Sequence, residues 1–202
     1  MANPGWQSAL GGRVLDDAAV HIGEGDARAM VDLRMAAGND EAMATVAKSL
    51  GFALPTTPRT SSRKDDVTAL WLSIDQWLLV APFETRGALR DNLSKALDKH
   101  NVAITDMSDA RTVIRLEGDG CREIIMKGAA ADLISDDFKP GTVRRLNFAG
   151  IAGMVHLLGQ SPDKIDLYVF RSYADYAIRW LEVAARPGAN LKLFGATPPP
   201  PS

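Results

Sequence analysis

Residues 166–181 read DLYVFRSYADYAIRWL and join two apolar patterns through a single arginine. Asp166, Leu167, Tyr168, Val169 and Phe170 form a short apolar run suited to a buried strand. Ser172 followed by Asp175 has the spacing of a capping box in its carboxylate form, which predicts a helix from Tyr173 onward. Tyr173, Tyr176, Ala177, Trp180, Leu181 and Ala184 then recur at helical spacing, so one face is aromatic and Arg179 and Glu182 point outward. That face is expected to be core or interface.

Upstream, residues 112–116 alternate as a strand, and Cys121, Ile124, Ile125 and Gly128 give a short helical face. Residues 143–148 and 153–158 pattern as a hairpin. The first half has a similar order. Residues 30–35 alternate as a strand, and Asn39 caps a helix with Met43, Val46, Ala47 and Leu50 on one face and Gly51 at its end. Strands at 68–72 and 77–81 flank the Ser73-Ile74-Asp75-Gln76 turn. Leu89, Leu93, Ala96 and Leu97 mark a second helix, and 103–106 a last strand. Strand, helix, hairpin, helix, strand is the split β-α-β order of a ferredoxin-like unit. The expected fold class is α+β, with two ferredoxin-like halves, about 27–106 and 107–185, packed as one domain over 27–185. Residues 1–26, punctuated by Pro4, Gly5, Gly11, Gly12, Gly23 and Gly25, are expected to be an extended arm. Residues 186–202 end in consecutive prolines and are expected to form an extended tail. PTTPRTSSRKDD at 55–66 predicts a long exposed loop suited to partner contact.

A chain of 202 residues with 46% hydrophobic composition can bury a sizeable core. Its 23 basic and 25 acidic residues give a formal charge of −2, so no overall basic field exists to hold a nucleic-acid backbone or an anionic membrane. No apolar run approaches the roughly 20 residues needed to cross a bilayer, and residues 1–6 lack the basic and apolar blocks of a signal peptide. The expected compartment is the cytoplasm. A single cysteine, Cys121, excludes an internal disulfide framework and suits a reducing compartment.

Several segments suggest chemistry. Gly23-Glu-Gly25-Asp-Ala-Arg28 has half the spacing of a dinucleotide fingerprint, but no strand is predicted before it and Arg28 stands where the third glycine belongs, so it reads as a turn. Gly118-Asp-Gly120 could offer backbone amides to an anion, yet Asp119 reads as a helix cap that repels phosphate. Cys121 reads as a small apolar residue on a helix face. His21, His100 and His156 have no second ligand at metal spacing. Trp71, Trp77, Trp180 and Tyr176 lack the flanking positive charge of a base-stacking platform, so they read as core or interface anchors. The polar cluster Asp106, Asp109 and Arg111 reads as an ion-paired corner at the junction of the halves, the alternative being a carboxylate that handles a substrate amine. Arg171 suits either a carboxylate clamp across a subunit interface or a local bond to nearby carbonyls.

Three segments carry a family resemblance: ALWLSIDQWLLV at 69–80; DMSDAR at 106–111, running into TVIRLEG and the helix opened by Gly120-Cys-Arg-Glu123; and the Arg171 unit. Together they resemble the γ subunit of heterotetrameric sarcosine oxidase, although the Ser73–Gln76 turn departs from the family's usual Gly-Pro-Asp-Glu kind. Asp106-Met-Ser108 also resembles the Asp-x-Ser entry to the folate-binding domain of aminomethyltransferases, which implies a shared shape. The resemblance implies a non-catalytic structural subunit with no catalytic, cofactor-binding or metal-binding residue of its own. It would support the oxidative demethylation of sarcosine to glycine, with hydrogen peroxide and a one-carbon unit released as formaldehyde or 5,10-methylene-tetrahydrofolate. The implied partners are the α, β and δ subunits, which would carry FAD, FMN, NAD and tetrahydrofolate. The alternatives are a free-standing folate-binding or aminomethyltransferase-like enzyme, with Asp106 orienting the substrate amine, and a subunit of a related N-methyl amine oxidase.

Overall fold

The computed structural model describes residues 7–16, 20–186, 188 and 189. Its element order begins β1 (Val14–Asp16), β2 (Val20–Glu24), β3 (Arg28–Met35), α1 (Asp40–Leu50), β4 (Ser61–Lys64), β5 (Val67–Ser73) and β6 (Gln76–Pro82). A 3₁₀ turn then leads into α2 (Arg86–Ala96), β7 (Val102–Asp106), β8 (Arg111–Gly118) and α3 (Cys121–Gly128). The order ends with β9 (Val143–Phe148), β10 (Ile151–Gly159), β11 (Lys164–Phe170), a second 3₁₀ turn (Arg171–Tyr173) and α4 (Ala174–Ala184).

These elements form an α+β molecule with two antiparallel sheets, ordered β4-β5-β6-β3-β7 and β1-β2-β8-β11-β10-β9. Period-2 alternation gives each sheet two apolar faces. On β3, Ala29, Val31, Leu33 and Met35 turn toward α1 and α2, where they meet Ala42, Val46, Leu89 and Leu93, while Met30 turns the other way. On β11, Ile165, Leu167 and Val169 pack under α3 and α4, and Tyr168 faces the opposite sheet. The cluster between the sheets, with Met30, Leu70, Leu78, Val113, Met154 and Tyr168, belongs to both halves. Helices thus cover the two outer faces and the sheets bury their inner faces against each other. Each fully buried large aliphatic side chain contributes about 1.5 to 3 kcal/mol.

The five-stranded sheet contains the ferredoxin-like arrangement: β5, β6, β3 and β7 are strands two, three, one and four of the split β-α-β unit, and β4 adds an edge. The six-stranded sheet repeats this path: β9, β10, β11 and β8 stand where β4, β5, β6 and β3 stand in the first, α3 and α4 follow β8 and β11 as α1 and α2 follow β3 and β6, and β2, from before the first half, takes the place of β7.

Local expectations are corrected at several points. Residues 14–16 and 20–24 are not part of an arm; β1 and β2 pair with each other, and β2 pairs with β8 from Val20 opposite Gly118 to Glu24 opposite Ile114. Val20 and Ile22 are buried, so a short, glycine-rich run gains its strand character from tertiary pairing. This strand also feeds the Gly23–Arg28 turn. Residues 1–6 and most of the expected tail lie outside the described residues. The 55–66 loop contains β4, a polar edge strand whose serines and basic residues disguised it. At α3 the N-cap is Gly120, with no side-chain cap from Asp119.

Ser172 likewise does not cap α4; the chain turns once as 3₁₀ and the helix begins at Ala174. The buried stripe of α4 is Ala174, Ala177, Ile178, Leu181 and Ala184, while Tyr173 and Tyr176 are 44% and 48% exposed. Burying a phenol requires a partner for its hydroxyl, so the aliphatic stripe takes the core, and Tyr176 instead donates to the Ala149 carbonyl at 2.7 Å. Trp180 is half-buried at the rim, edge-on to Phe148 with centroids 4.9 Å apart.

Candidate functional site

The chain passes from one sheet to the other between Asp106, at the end of β7, and Arg111, at the start of β8. Backbone polar groups leaving a sheet need partners, and this corner supplies them. Met107 N–H donates to the Met30 carbonyl at 2.7 Å, and Met30 N–H donates to the buried Ser108 Oγ at 2.9 Å. Ser108 N–H donates to Asp106 Oδ1 at 2.9 Å, and Arg171 N–H donates to the Ala110 carbonyl at 2.9 Å.

The expected ion-paired corner exists, with a different arginine. Arg86, the first residue of α2, places Nε 2.6 Å from Asp106 Oδ2 and a terminal nitrogen 2.6 Å from Asp109 Oδ2. Burial acts to raise the Asp106 pKa, but hydrogen bonds from Arg86 and Ser108 outweigh it and hold the carboxyl below its ordinary range. Arg111 points away from both aspartates. Its guanidinium lies over the Phe170 ring at 4.9 Å, its Nε is buried without a hydrogen-bond partner, and burial lowers its pKa. Arg86 lies 20 residues upstream of Asp106, where sequence gave no reason to pair them. Arg171 donates to the Gln7 carbonyl, far away in the sequence.

The space beside this corner, between Ser108, Arg111 and Arg171, measures about 10 Å³. That is room for about one water molecule. Asp106, held by Arg86 and by Ser108 N–H, is a clamped strand end.

A larger cleft, about 340 Å³, opens between the sheets and is lined by Arg28, Arg63, Thr68, Arg115, His156 and Tyr168, among others. Its floor is a cross-strand ladder: on β8, β11 and β10, Arg115 stands opposite Asp166 and Asp166 opposite His156. Arg115 donates to both Asp166 oxygens at 2.7 and 3.0 Å. His156 is buried, its Nε2 is 3.1 Å from Ser61 Oγ, and burial pushes its pKa down to about 4, so it is neutral near pH 7. Burial raises the Tyr168 pKa. The Arg115 and Asp166 charges satisfy each other. Pairing register, and not spacing in the sequence, joins Asp166 to His156. Among the described residues no group of three or more His, Cys, Asp or Glu side chains could hold a metal ion. Cys121 is fully buried and burial pushes its thiol up to about 12, which removes thiolate chemistry.

Two antiparallel sheets packed face to face, with paired helices outside, define an aminomethyltransferase-like fold. Glycine cleavage system aminomethyltransferase T from Bartonella henselae superposes with a TM-score of 0.64 at 12% identity, over 81% of this chain and 45% of that one. The chain itself belongs to the sarcosine oxidase, gamma subunit family, whose family model matches residues 34–186. The sarcosine oxidase subunit gamma of Corynebacterium sp. (strain U-96) is 29% identical over 139 residues, which span 68% of this chain and 66% of that protein. A chain of the heterotetrameric sarcosine oxidase from Corynebacterium sp. U-96, solved in complex with pyrrole 2-carboxylate, has the same fold. Its TM-score is 0.79 at 24% identity, over 89% of this chain and 94% of that one.

Proposed function

We propose that this chain is the γ subunit of a heterotetrameric sarcosine oxidase and acts as a structural, non-catalytic part of it. The assembled enzyme demethylates sarcosine oxidatively to glycine, yielding hydrogen peroxide and a one-carbon unit as formaldehyde or 5,10-methylene-tetrahydrofolate. The α, β and δ subunits are the partners, and FAD, FMN, NAD and tetrahydrofolate reside on them. The complex works in the cytoplasm; among the described residues no helix is long and apolar enough to cross a membrane.

Family membership supports the subunit reading. The observation that carries the non-catalytic role is the double engagement of Arg86: Asp106, the strand-end carboxylate that could meet a substrate amine, is already ion-paired at 2.6 Å and accepts from Ser108 N–H. The test is turnover of the assembled complex with Asp106→Asn. Assembly and sarcosine oxidation stay within about twofold of wild type if the residue is structural. A loss of about a hundredfold with normal assembly moves the chemistry onto this chain. Stoichiometric flavin absorbance in the chain purified alone would equally overturn the reading.

A further inference from the structure

Three arginines line a second cavity of about 360 Å³. Arg144 and Arg145 come from β9, the edge strand of the six-stranded sheet, and Arg59 comes from the segment before β4, in the other half of the molecule. Arg59 is held there by its backbone. Its carbonyl accepts from Val143 N–H at 2.8 Å, Thr60 bridges to Thr142, and its φ of 65° is one that a non-glycine residue adopts only at a cost.

Among the described residues none of these three arginines forms an ion pair, whereas Arg28, Arg63, Arg115 and Arg122 all do. Asp132 also lines the cavity, but its Oδ1 accepts from the backbone N–H groups of Ile134 and Ser135 at 2.9 and 3.1 Å. Arg144 Nε is buried with no partner. Arg144 lies over the Phe138 ring at 5.7 Å and its charge acts on the Asp132 carboxyl, whereas the exposed Arg59 and Arg145 have no carboxylate partner among the described residues and remain available to an acid. Next to it, and sharing Ala130, Ala131 and Asp132, an open apolar concavity runs past Met126 to Ile134, which is 45% exposed.

We propose that this face is the docking site for a carboxylate-bearing segment of a partner subunit, whose acidic side chains pair with Arg59, Arg144 and Arg145 while an adjoining apolar side chain covers Ile134. The proposal rests on reading the chain as a subunit of a larger complex. Charge complementarity selects the occupant. The planar arginine fork binds carboxylates through two parallel bonds and is enriched at interfaces. A small free anion would satisfy the guanidiniums but leave Ile134 uncovered.

The experiment co-expresses the chain with its tagged partner subunits and measures retention of the chain on them at low and high salt. Wild type binds and weakens as salt rises. Arg59→Glu/Arg145→Glu, which alters two exposed side chains, weakens retention about tenfold or more. Arg90→Glu, on the exposed side of α2, leaves it unchanged. Melting each free variant establishes that it is folded; should the double variant fail to fold, Ile134→Asp carries the same test. Equal retention of wild type and variant overturns the docking site and leaves the subunit reading intact. Failure of wild type to assemble at all overturns the subunit reading and this proposal with it. If inorganic phosphate or citrate raises the melting temperature of the free wild type but not of the double variant, the cavity is a small-anion site and the proposal is wrong.

Discussion

Arg115 and Asp166 stand directly opposite each other on neighbouring strands and are joined by two hydrogen bonds of 2.7 and 3.0 Å, with 17% and 5% of their side chains exposed. Two charges taken so far out of water are tolerable only together. Asp166→Ala strands the guanidinium and is expected to cost about 3 to 5 kcal/mol. Replacing both residues with apolar side chains of similar volume should recover most of that loss. Urea unfolding of the two variants measures it, and equal stability of single and double variants would contradict the pairing.

His156 makes stability depend on pH. Its folded pKa, about 4, lies below the ordinary value of 6.5, so between those values the unfolded chain binds the proton that the folded chain refuses. Stability is fully present above about pH 6.5, falls as pH drops toward 4, and the loss from this residue reaches about 3 kcal/mol. His156→Gln removes that contribution. The difference between wild-type and variant unfolding free energies, followed from pH 7.5 to about 4, should therefore change in the variant's favour on acidification; a constant difference would contradict it.

Gly128 and Trp180 are coupled. A Cβ on Gly128 would sit 2.7 Å from the far ring atom of Trp180, which Phe148 holds edge-on. Gly128→Ala should cost about 1 to 3 kcal/mol in wild type. Trp180→Ala alone should cost about 3 kcal/mol, the low end for a large aromatic because the ring is only half-buried. In the Trp180→Ala background the Gly128→Ala penalty should vanish, and a double-mutant cycle by thermal unfolding reads the coupling.

Arg111 is a buried cation with an unsatisfied Nε and no carboxylate partner among the described residues, kept in place by the Phe170 face. Arg111→Met retains the packing of the stem and removes the desolvation cost, so its stability should lie within about 1 kcal/mol of wild type or above it. A loss of several kcal/mol would show that the guanidinium has a structural role the hydrogen bonds do not reveal.

What was legible in the sequence follows from which physical signals are local. Asn39 and Gly51 marked the ends of α1 because caps act within a turn: Asn39 accepts from Ala42 N–H at 3.1 Å, and Gly51 adopts φ 78°. The Trp71–Trp77 hairpin and the β3, β5, β6, β7 order came through for the same reason. Strands β1, β2 and β4 did not, since β2 is buried against β8 from the other half of the molecule, β4 is a polar edge strand paired on one side, and their composition alone is that of a loop. At the candidate site Asp106 and Asp109 were identified, but their partner was not. Arg86 reaches them because α2 begins beside the end of β7, a proximity set by packing.

The pairing of β2 with β8 also constrains the order of assembly. The five-stranded sheet is drawn from one uninterrupted stretch, Arg28 to Asp106, so it can form as soon as that stretch is available. The six-stranded sheet begins before that stretch and cannot close until residues 111–170 have followed it, with β2 held waiting for β8. Long-range pairing of this kind is slow and leaves an apolar face open in the interval. A nascent chain that stalls near residue 106 therefore presents a finished sheet with its inner apolar surface bare and β2 still without β8. In the cell, the second sheet is both the last part of the fold to be made and the cover for the first.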